Sequence, residues 1–445
     1  MSTTFTKGGI HPPENKLSAQ SRICDLQIPA SVIIPLGQHL GAPAKPVVNK
    51  GDTVKAGQLI AKGDGFVSSN IHASVSGKVN KIDEAVDVSG YKKPAIFIDT
   101  AGDEWMETIN RDPALLKAFS LTGQEIIGKI GEMGIVGLGG ATFPTQVKLS
   151  VPRGKKAEYL VVNGVECEPY LTSDHALMLE KGEEIMVGVQ ILKKALNVEK
   201  AIIGIENNKA DAINHLRILA QKYPGTTVTS LKVKYPQGGE KQLIQALVHR
   251  EVPSGGLPVD VGVVVFNVST TFAVYEAIQK NKPLFERIVT VTGKSLKQPA
   301  NFRVRIGTPV SALIEAAGGL PEDTGKIIAG GPMMGKALLN NEIPVVKGSS
   351  GILLLPERES ARHKIEPCIR CSKCVSVCPM GLEPYLLMSL AQKGMVERLE
   401  EEKVMDCIEC GSCSYTCPAS RPLLDYIRLG KAQVGKIIRS RKKPA

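Results

Sequence analysis

Two stretches near the C-terminus decide what kind of chain this is: CIRCSKCVSVCP at Cys368–Pro379 and CIECGSCSYTCP at Cys407–Pro418. Both read C-x2-C-x2-C-x3-C-P, the thiolate run of paired four-iron, four-sulfur clusters. Three thiolates two residues apart wrap three irons of one cubane in a tight turn. The fourth sits too far round and ligates the other cluster. Cluster one therefore takes Cys368, Cys371, Cys374 and Cys417, and cluster two takes Cys378, Cys407, Cys410 and Cys413. Structural zinc would use two pairs of ligands and leave the third, evenly spaced Cys without a task. Of the ten cysteines only Cys24 and Cys167 lie outside the runs, and this spacing favours metal ligation over disulfides.

Between Cys378 and Cys407 stand 28 residues, helical in pattern over Glu383–Val404. That predicts an all-helical two-cluster ferredoxin domain over 367–427. Beyond it, a basic tail (428–445) holds seven Lys or Arg and no acid, and is expected to fray. The polar run Glu357–Glu366 predicts a linker, placed at 351–366.

Farther upstream, strand-like and helix-like segments alternate. Thr122–Met133 reads as a helix leading into a glycine-rich loop. Tyr159–Val162, Ala201–Ile205, Val228–Tyr235 and Val261–Phe266 read as strands. His175–Leu196, Lys209–Lys222 and Glu240–Val248 read as helices, with Asp174 as an N-cap. Such alternation predicts an α/β layer domain with a largely parallel sheet, here 116–288. A smaller α+β module follows at 289–350, with a strand at Phe302–Ile306 and a helix at Ser311–Ala317. Before the α/β domain, an irregular arm over 1–30 leads into short apolar runs separated by Gly-Asp, Gly-Gln and Ser-Gly turns. They predict a small all-β module and complete an N-terminal region of 1–115.

Composition sets bounds. A chain of 445 residues, 43% apolar and 22% charged, has room for roughly three cores at about 150 residues each. One Trp and 4% aromatics offer few base-stacking platforms, against a nucleic-acid partner. The formal charge of +11 falls to about +7 once two clusters of about −2 each are counted. No apolar run of about 18 residues predicts a membrane span, and the N-terminus lacks a secretory pattern.

The glycine-rich loop gains meaning from its company. GLGGATFPTQVK (Gly137–Lys148), VVNGVECEPYLTSD (Val161–Asp174), GGE (Gly238–Glu240) and FNVST (Phe266–Thr270) occur in one order. Together they resemble the flavin-binding segments of the NADH-binding flavoprotein subunit of respiratory complex I. The resemblance implies a Rossmann-like domain holding FMN through Gly137, Gly139, Gly140, Lys148, Asn163, Glu166, Gly239, Glu240, Asn267 and Thr270. It implies that Phe143 and Glu168 help hold NAD(H). Leu138, Val165, Phe266 and Lys241 depart from that family's pattern, and Cys167 stands where it has Gly. We read Cys167 as a small buried residue.

Over the whole chain, KGGIHPPENK (Lys7–Lys16), IAGGPMMG (Ile328–Gly335) and the two Cys runs resemble the C-subunit family of the Rnf electron-transport complexes. Gly51–Val79 is similar to a biotinyl/lipoyl-type barrel-sandwich hybrid with Phe66 near the hairpin tip in place of the carrier Lys. The 290–350 region resembles a β-grasp soluble-ligand-binding module. The fold class expected is thus multidomain α/β: a barrel-sandwich hybrid, a Rossmann-like flavin/NAD domain, a β-grasp module and a helical ferredoxin domain. The resemblance implies one component of a ferredoxin:NAD oxidoreductase. It would be peripheral at the cytoplasmic face of the membrane, with partner subunits, a ferredoxin-like one among them, that move Na+ or H+. Two alternatives stand beside it: a soluble flavin/iron–sulfur reductase such as a cobalamin reductase, and a non-catalytic electron-transfer adaptor. No side chain is expected to act as a covalent catalyst. Anaerobically purified protein is expected to carry about eight irons and about one FMN per chain; a zinc signal in place of iron would overturn the cluster assignment.

Overall fold

The computed structural model describes residues 2–441. The first module is a sandwich of two small sheets. One contains Ser31–Pro35, Lys92–Thr100, Gly77–Val86 and Thr53–Val54; the other contains Lys45–Pro46, Leu59–Lys62 and Ile71–His72. Val32, Ile34, Ile60, Ile71, Ile96 and Ile98 fill the space between them. Phe66 stands 75% exposed on the turn before Ile71.

The α/β domain is built on four parallel strands in the order Thr226–Leu231, Lys200–Glu206, Tyr159–Asn163, Val263–Asn267. Leu160, Val161, Val162, Val264 and Val265 form continuous apolar runs because helices cover both faces of such a sheet. The leading helix, Gly123–Glu132, starts on a capping box between Thr122 and Glu125.

The helix expected over His175–Leu196 is two helices, Ser173–Glu180 and Gly182–Leu196. At the break, a side chain on Gly182 would meet the His215 ring at 2.6 Å, so close packing selects glycine there. Asp174 is not the N-cap. Thr172 holds that position, and Asp174 lies in the first turn. The expected strand Val228–Tyr235 joins the sheet only over Thr226–Leu231; Tyr235 forms a separate bridge to Ile10.

The β-grasp sheet is larger than its sequence suggests. Its order is Ile23–Asp25, Ala300–Arg305, Glu286–Thr292, Gly351–Pro356, Thr324–Ala329, Lys336–Ala337. The arm supplies the first strand, so residues 1–30 are not wholly irregular. Gly351–Pro356, placed in the linker on sequence, is a buried strand between two others. Only the stretch from Glu357 onward connects, and it opens with a short helix, Glu357–Ser360.

In the ferredoxin domain the expected helix Glu383–Val404 is interrupted. Pro384–Gln392 ends before Gly394, whose φ of +66° turns the chain into Val396–Glu401. The tail does not fray at Arg428: Leu423–Arg441 is one helix, and Arg441 pairs with Glu400 at 2.8 Å. Residues 442–445 lie outside the described residues.

Helix Gly182–Leu196 meets helix Val268–Gln279 where a Cβ on Gly188 would stand 2.3 Å from the Thr271 carbonyl oxygen. Gly188→Ala is expected to cost about 1–3 kcal/mol of unfolding free energy by chemical denaturation, despite alanine's higher helix propensity.

Candidate functional site

Strands Tyr159–Asn163 and Val263–Asn267 lie side by side, and their last residues, Asn163 and Asn267, are in register. From the first strand the chain moves outward to one side, and it returns to the second on the other side. The carboxyl ends of these two strands therefore flank the topological switch point, where a crevice opens in such sheets.

Asn267 caps helix Val268–Gln279 by accepting from the Ser269 amide at 2.8 Å. Its Nδ2 donates to Asp174 at 2.6 Å. Asn163 accepts from the Val165 amide and donates to the Gly238 carbonyl at 2.9 Å. Gly239 is the N-cap of helix Glu240–Val248. Lys148 Nζ lies 2.6 Å from a Glu240 carboxylate oxygen and 5.5 Å from the centre of the Phe266 ring.

The glycine loop closes on this group. The Leu138 amide donates to Thr270 Oγ1 at 2.9 Å, and the Gly137 amide donates to the Phe143 carbonyl at 2.9 Å. A side chain on Gly139 would strike Asn267 at 2.8 Å, whereas one on Gly140 would meet nothing within 4 Å. The structure thus gathers Gly137, Gly139, Gly140, Lys148, Asn163, Gly239, Glu240, Asn267 and Thr270 at one end of the sheet, with Phe143 beside them on the loop. An ammonium, two amides, helix N-termini and glycine amides form a donor set suited to a phosphate and to ring carbonyls.

The two remaining candidates are turned elsewhere. Glu166, at a φ of +48°, accepts from the Asp174 and His175 amides at 2.7 and 3.1 Å and so caps helix Ser173–Glu180. Glu168 accepts from the Met333 and Met334 amides at 3.2 and 2.8 Å, which anchors the Ile328–Gly335 loop. Burial pushes the Glu168 carboxyl up to about 7, against the pull of those two amides. Sequence reasoning missed Asp174, whose buried carboxyl positions Asn267 and Ser269 and is raised to about 6 by burial and by the charge of Glu166. Its place in the Val161–Asp174 stretch was the available signal. Cys167 is half-buried, its thiol pushed up by burial, and the Gly238 amide donates to its sulfur at 3.4 Å.

The four cysteines expected for cluster two lie together. Cys378, Cys407, Cys410 and Cys413 line one pocket with Leu382, Leu387 and Ile427. Burial raises each of the last three thiols, and the charge of Cys378 adds to it. Cys374 is raised in part by Cys417, its expected cluster-one partner. Four thiolates around one pocket are a donor set that fits a four-iron, four-sulfur cluster. Cys368 and Cys371 are exposed, whereas Cys378, Cys410 and Cys413 are buried.

Cluster two's cysteines abut the flavin end. Tyr235 donates its hydroxyl to the Cys410 carbonyl at 2.7 Å, with 3.4 Å separating it from Glu168. Gln242, on the helix that Gly239 caps, donates to the Pro379 carbonyl at 3.2 Å.

Fold and site together define a modular flavin/iron–sulfur protein of electron transfer. Residues 4–103 match the RnfC barrel sandwich hybrid domain, 130–276 the Nuo51 FMN-binding domain, 288–337 the SLBB domain and 361–418 the 4Fe-4S dicluster domain. The C subunit of the proton-translocating ferredoxin:NAD(+) oxidoreductase complex of Clostridium ljungdahlii is 49% identical over 96% of this chain and 93% of its own length. The C subunit of the Na(+)-translocating ferredoxin:NAD(+) oxidoreductase complex of Acetobacterium woodii is 45% identical over 96% of each. A chain of the NAD+-reducing [NiFe]-hydrogenase in the air-oxidized state shares the fold. Its TM-score is 0.51 at 16% identity, over 73% of this chain and 68% of that one. The chain belongs to the C-subunit family of the ion-translocating ferredoxin:NAD(+) oxidoreductase complexes.

An acid whose folded pKa is raised holds an extra proton in the folded state. Glu168 therefore contributes stability below about 4.5 that is lost as pH rises through about 7. Between pH 5 and pH 8, the wild type is expected to lose about 1–3 kcal/mol more unfolding free energy than Glu168→Leu, as read by denaturation at both pH values.

Proposed function

We propose that this chain is the NAD(H)-facing subunit of a membrane-bound ferredoxin:NAD oxidoreductase complex. It relays electrons between the nicotinamide nucleotide, FMN and two [4Fe–4S] clusters. One observation carries the reading: the helix that Gly239 caps touches the cluster-two peptide through the bond from Gln242 to Pro379, beside the bond from Tyr235 to Cys410.

Bound FMN would exchange a hydride with the nicotinamide and pass its electrons singly to the clusters, which is the cofactors' chemistry rather than the protein's. The chain supplies position and field. Lys148, the glycine-loop amides and the helix N-terminus at Gly239 would hold flavin phosphate and carbonyl oxygens; Asn163 and Asn267 would orient the ring; Phe143, at the open side of the loop, would border the nucleotide. Glu166 acts through the helix it caps, and Glu168 through the loop it anchors. Cluster two, with Cys378, Cys410 and Cys413 buried and Cys407 half-buried, is then the inner carrier.

Cluster one is then the outer carrier. Its ligands Cys368 and Cys371 are exposed beside Ile369, 68% exposed, and the exposed Arg370. That surface suits an acidic electron carrier such as a ferredoxin-like partner subunit. Among the described residues no helix is long and apolar enough to cross a membrane, so ion translocation is assigned to partner subunits. Nicotinamide exchange and cluster-ligating thiolates support a position at the cytoplasmic face.

The test is anaerobic. Protein loaded with FMN is expected to bleach on NADH addition, with the clusters reduced in turn. Lys148→Ala is expected to lower FMN affinity about tenfold or more, the loss of a charge-assisted contact. Tight FMN binding without any NADH-driven bleaching would favour the adaptor instead.

A further inference from the structure

The segment KGGIHPPENK has no part in the relay as described, yet it touches both ends of it. Thr3 runs beside Leu231, and Ile10 exchanges backbone hydrogen bonds with Tyr235 at 2.8 and 2.9 Å. Just before, the Gly9 amide donates to the Val377 carbonyl at 2.9 Å. Gly8, at a φ of +65°, lies so close to the cluster peptide that a Cβ would stand 2.5 Å from the Cys378 carbonyl oxygen and 2.6 Å from that of Val377. Neither the conformation nor the space admits a side chain. Ile10 packs in one small apolar cluster with Tyr235, Cys410, Cys167 and Met333.

At its other end the segment grips the loop that carries Glu166 and Glu168. Lys16 Nζ donates to the carbonyls of Glu166, Glu168 and Leu171 at 2.8, 2.9 and 2.7 Å. Three acceptors use all three protons of an ammonium, a geometry that a planar guanidinium cannot reproduce. The Tyr170 amide donates to the Glu14 carbonyl at 2.8 Å. Glu166 and Tyr170 have φ of +48° and +70°, the left-handed region, costing about 1–3 kcal/mol each for such residues unless the surroundings hold them. Lys16 and Glu14 are those surroundings. From this loop Glu166 caps the helix whose first turn carries Asp174, and Asp174 holds Asn267.

We propose that the N-terminal segment from Gly8 to Lys16 is a strap that fixes the inner cluster's peptide against the flavin end of the sheet. Lys16 is its positioning residue. Gly8 bears on the Val377–Cys378 peptide, Ile10 seals the seam at Tyr235, and Lys16 locks the Glu166–Leu171 turn. The strap touches no reacting atom. It acts on the distance and order across the junction, and it rests on the electron relay proposed above.

Two variants of the full-length, cluster-loaded, FMN-loaded protein test it, Lys16→Met and Ile10→Ala. Ile10→Ala trims the seam without touching a glycine or a cluster ligand. Amide hydrogen exchange is measured first and needs no NADH. Lys16→Met is expected to speed exchange across 166–171 by about tenfold or more, with iron content unchanged. Anaerobic stopped flow with NADH then separates flavin bleaching from cluster reduction. Both variants are expected to slow the cluster phase about tenfold or more relative to flavin bleaching, since misplacement of about 1 Å has large kinetic effects. Lys16→Arg, which keeps the charge, is expected not to restore the cluster phase. Unchanged exchange in Lys16→Met, or a wild-type ratio of the two phases in both variants, overturns the strap. Should Lys16→Met fail to fold, Ile10→Ala decides alone by the same ratio. A wild type that NADH does not bleach would overturn the NAD(H) reading, with the strap then judged on exchange and on cluster reduction from FMN reduced by light.

Discussion

The buried hydrogen bond from the Tyr235 hydroxyl to the Cys410 carbonyl is the contact around which the molecule is arranged. Its own net worth is modest, about 0.5–1.5 kcal/mol, but a missing partner here would leave a buried polar group unsatisfied. Four parts of the chain meet at this bond. Tyr235 follows the outermost strand of the α/β sheet, and Cys410 belongs to the ferredoxin domain. Ile10 comes from the N-terminal segment. Met333 comes from the β-grasp module, and its carbonyl lies 2.9 Å from where a side chain on Gly411 would stand. Glu168 completes the seam by holding the Met333–Met334 turn.

A second tie closes the opposite side. Lys347 is 1% exposed and donates to the carbonyls of Asn70 and Gly134 at 2.6 and 2.7 Å. One side chain thus joins the sandwich module, the α/β domain and the β-grasp module. Burial pulls its ammonium down to about 7, so those carbonyls matter to keeping it charged. Modules joined through such buried polar contacts move less against each other than modules on an open linker, and a short-range relay needs that rigidity.

Much of this architecture was legible because its signals are local. A cubane demands thiolates at fixed spacing, and a buried parallel sheet demands runs such as Leu160–Val162. What escaped was set by distant contacts. The break at Gly182 answers to His215, and the strand Gly351–Pro356 needs the far-upstream partner Thr290–Thr292 to be recognised as one. The cap on helix Ser173–Glu180 comes from Glu166, outside the helix, and no capping pattern in the sequence announces it. The site residues divide the same way. Gly137, Gly139, Gly140, Asn163, Gly239 and Asn267 stand out through the motif resemblance, which short local runs of sequence carry. Glu166 and Glu168 are fixed by their tertiary partners: one carboxylate caps helix Ser173–Glu180 and the other holds the Met333–Met334 turn.

The central claim is an order: flavin end, inner cluster, outer cluster. The most direct measurement removes one cluster at a time, Cys410→Ala for the inner and Cys368→Ala for the outer, and follows the surviving cluster's electron paramagnetic resonance signal after rapid mixing with NADH. With the outer cluster gone, the inner one should still be reduced at the wild-type rate; with the inner one gone, the outer should stay oxidised. Prompt reduction of the outer cluster in Cys410→Ala would contradict the account.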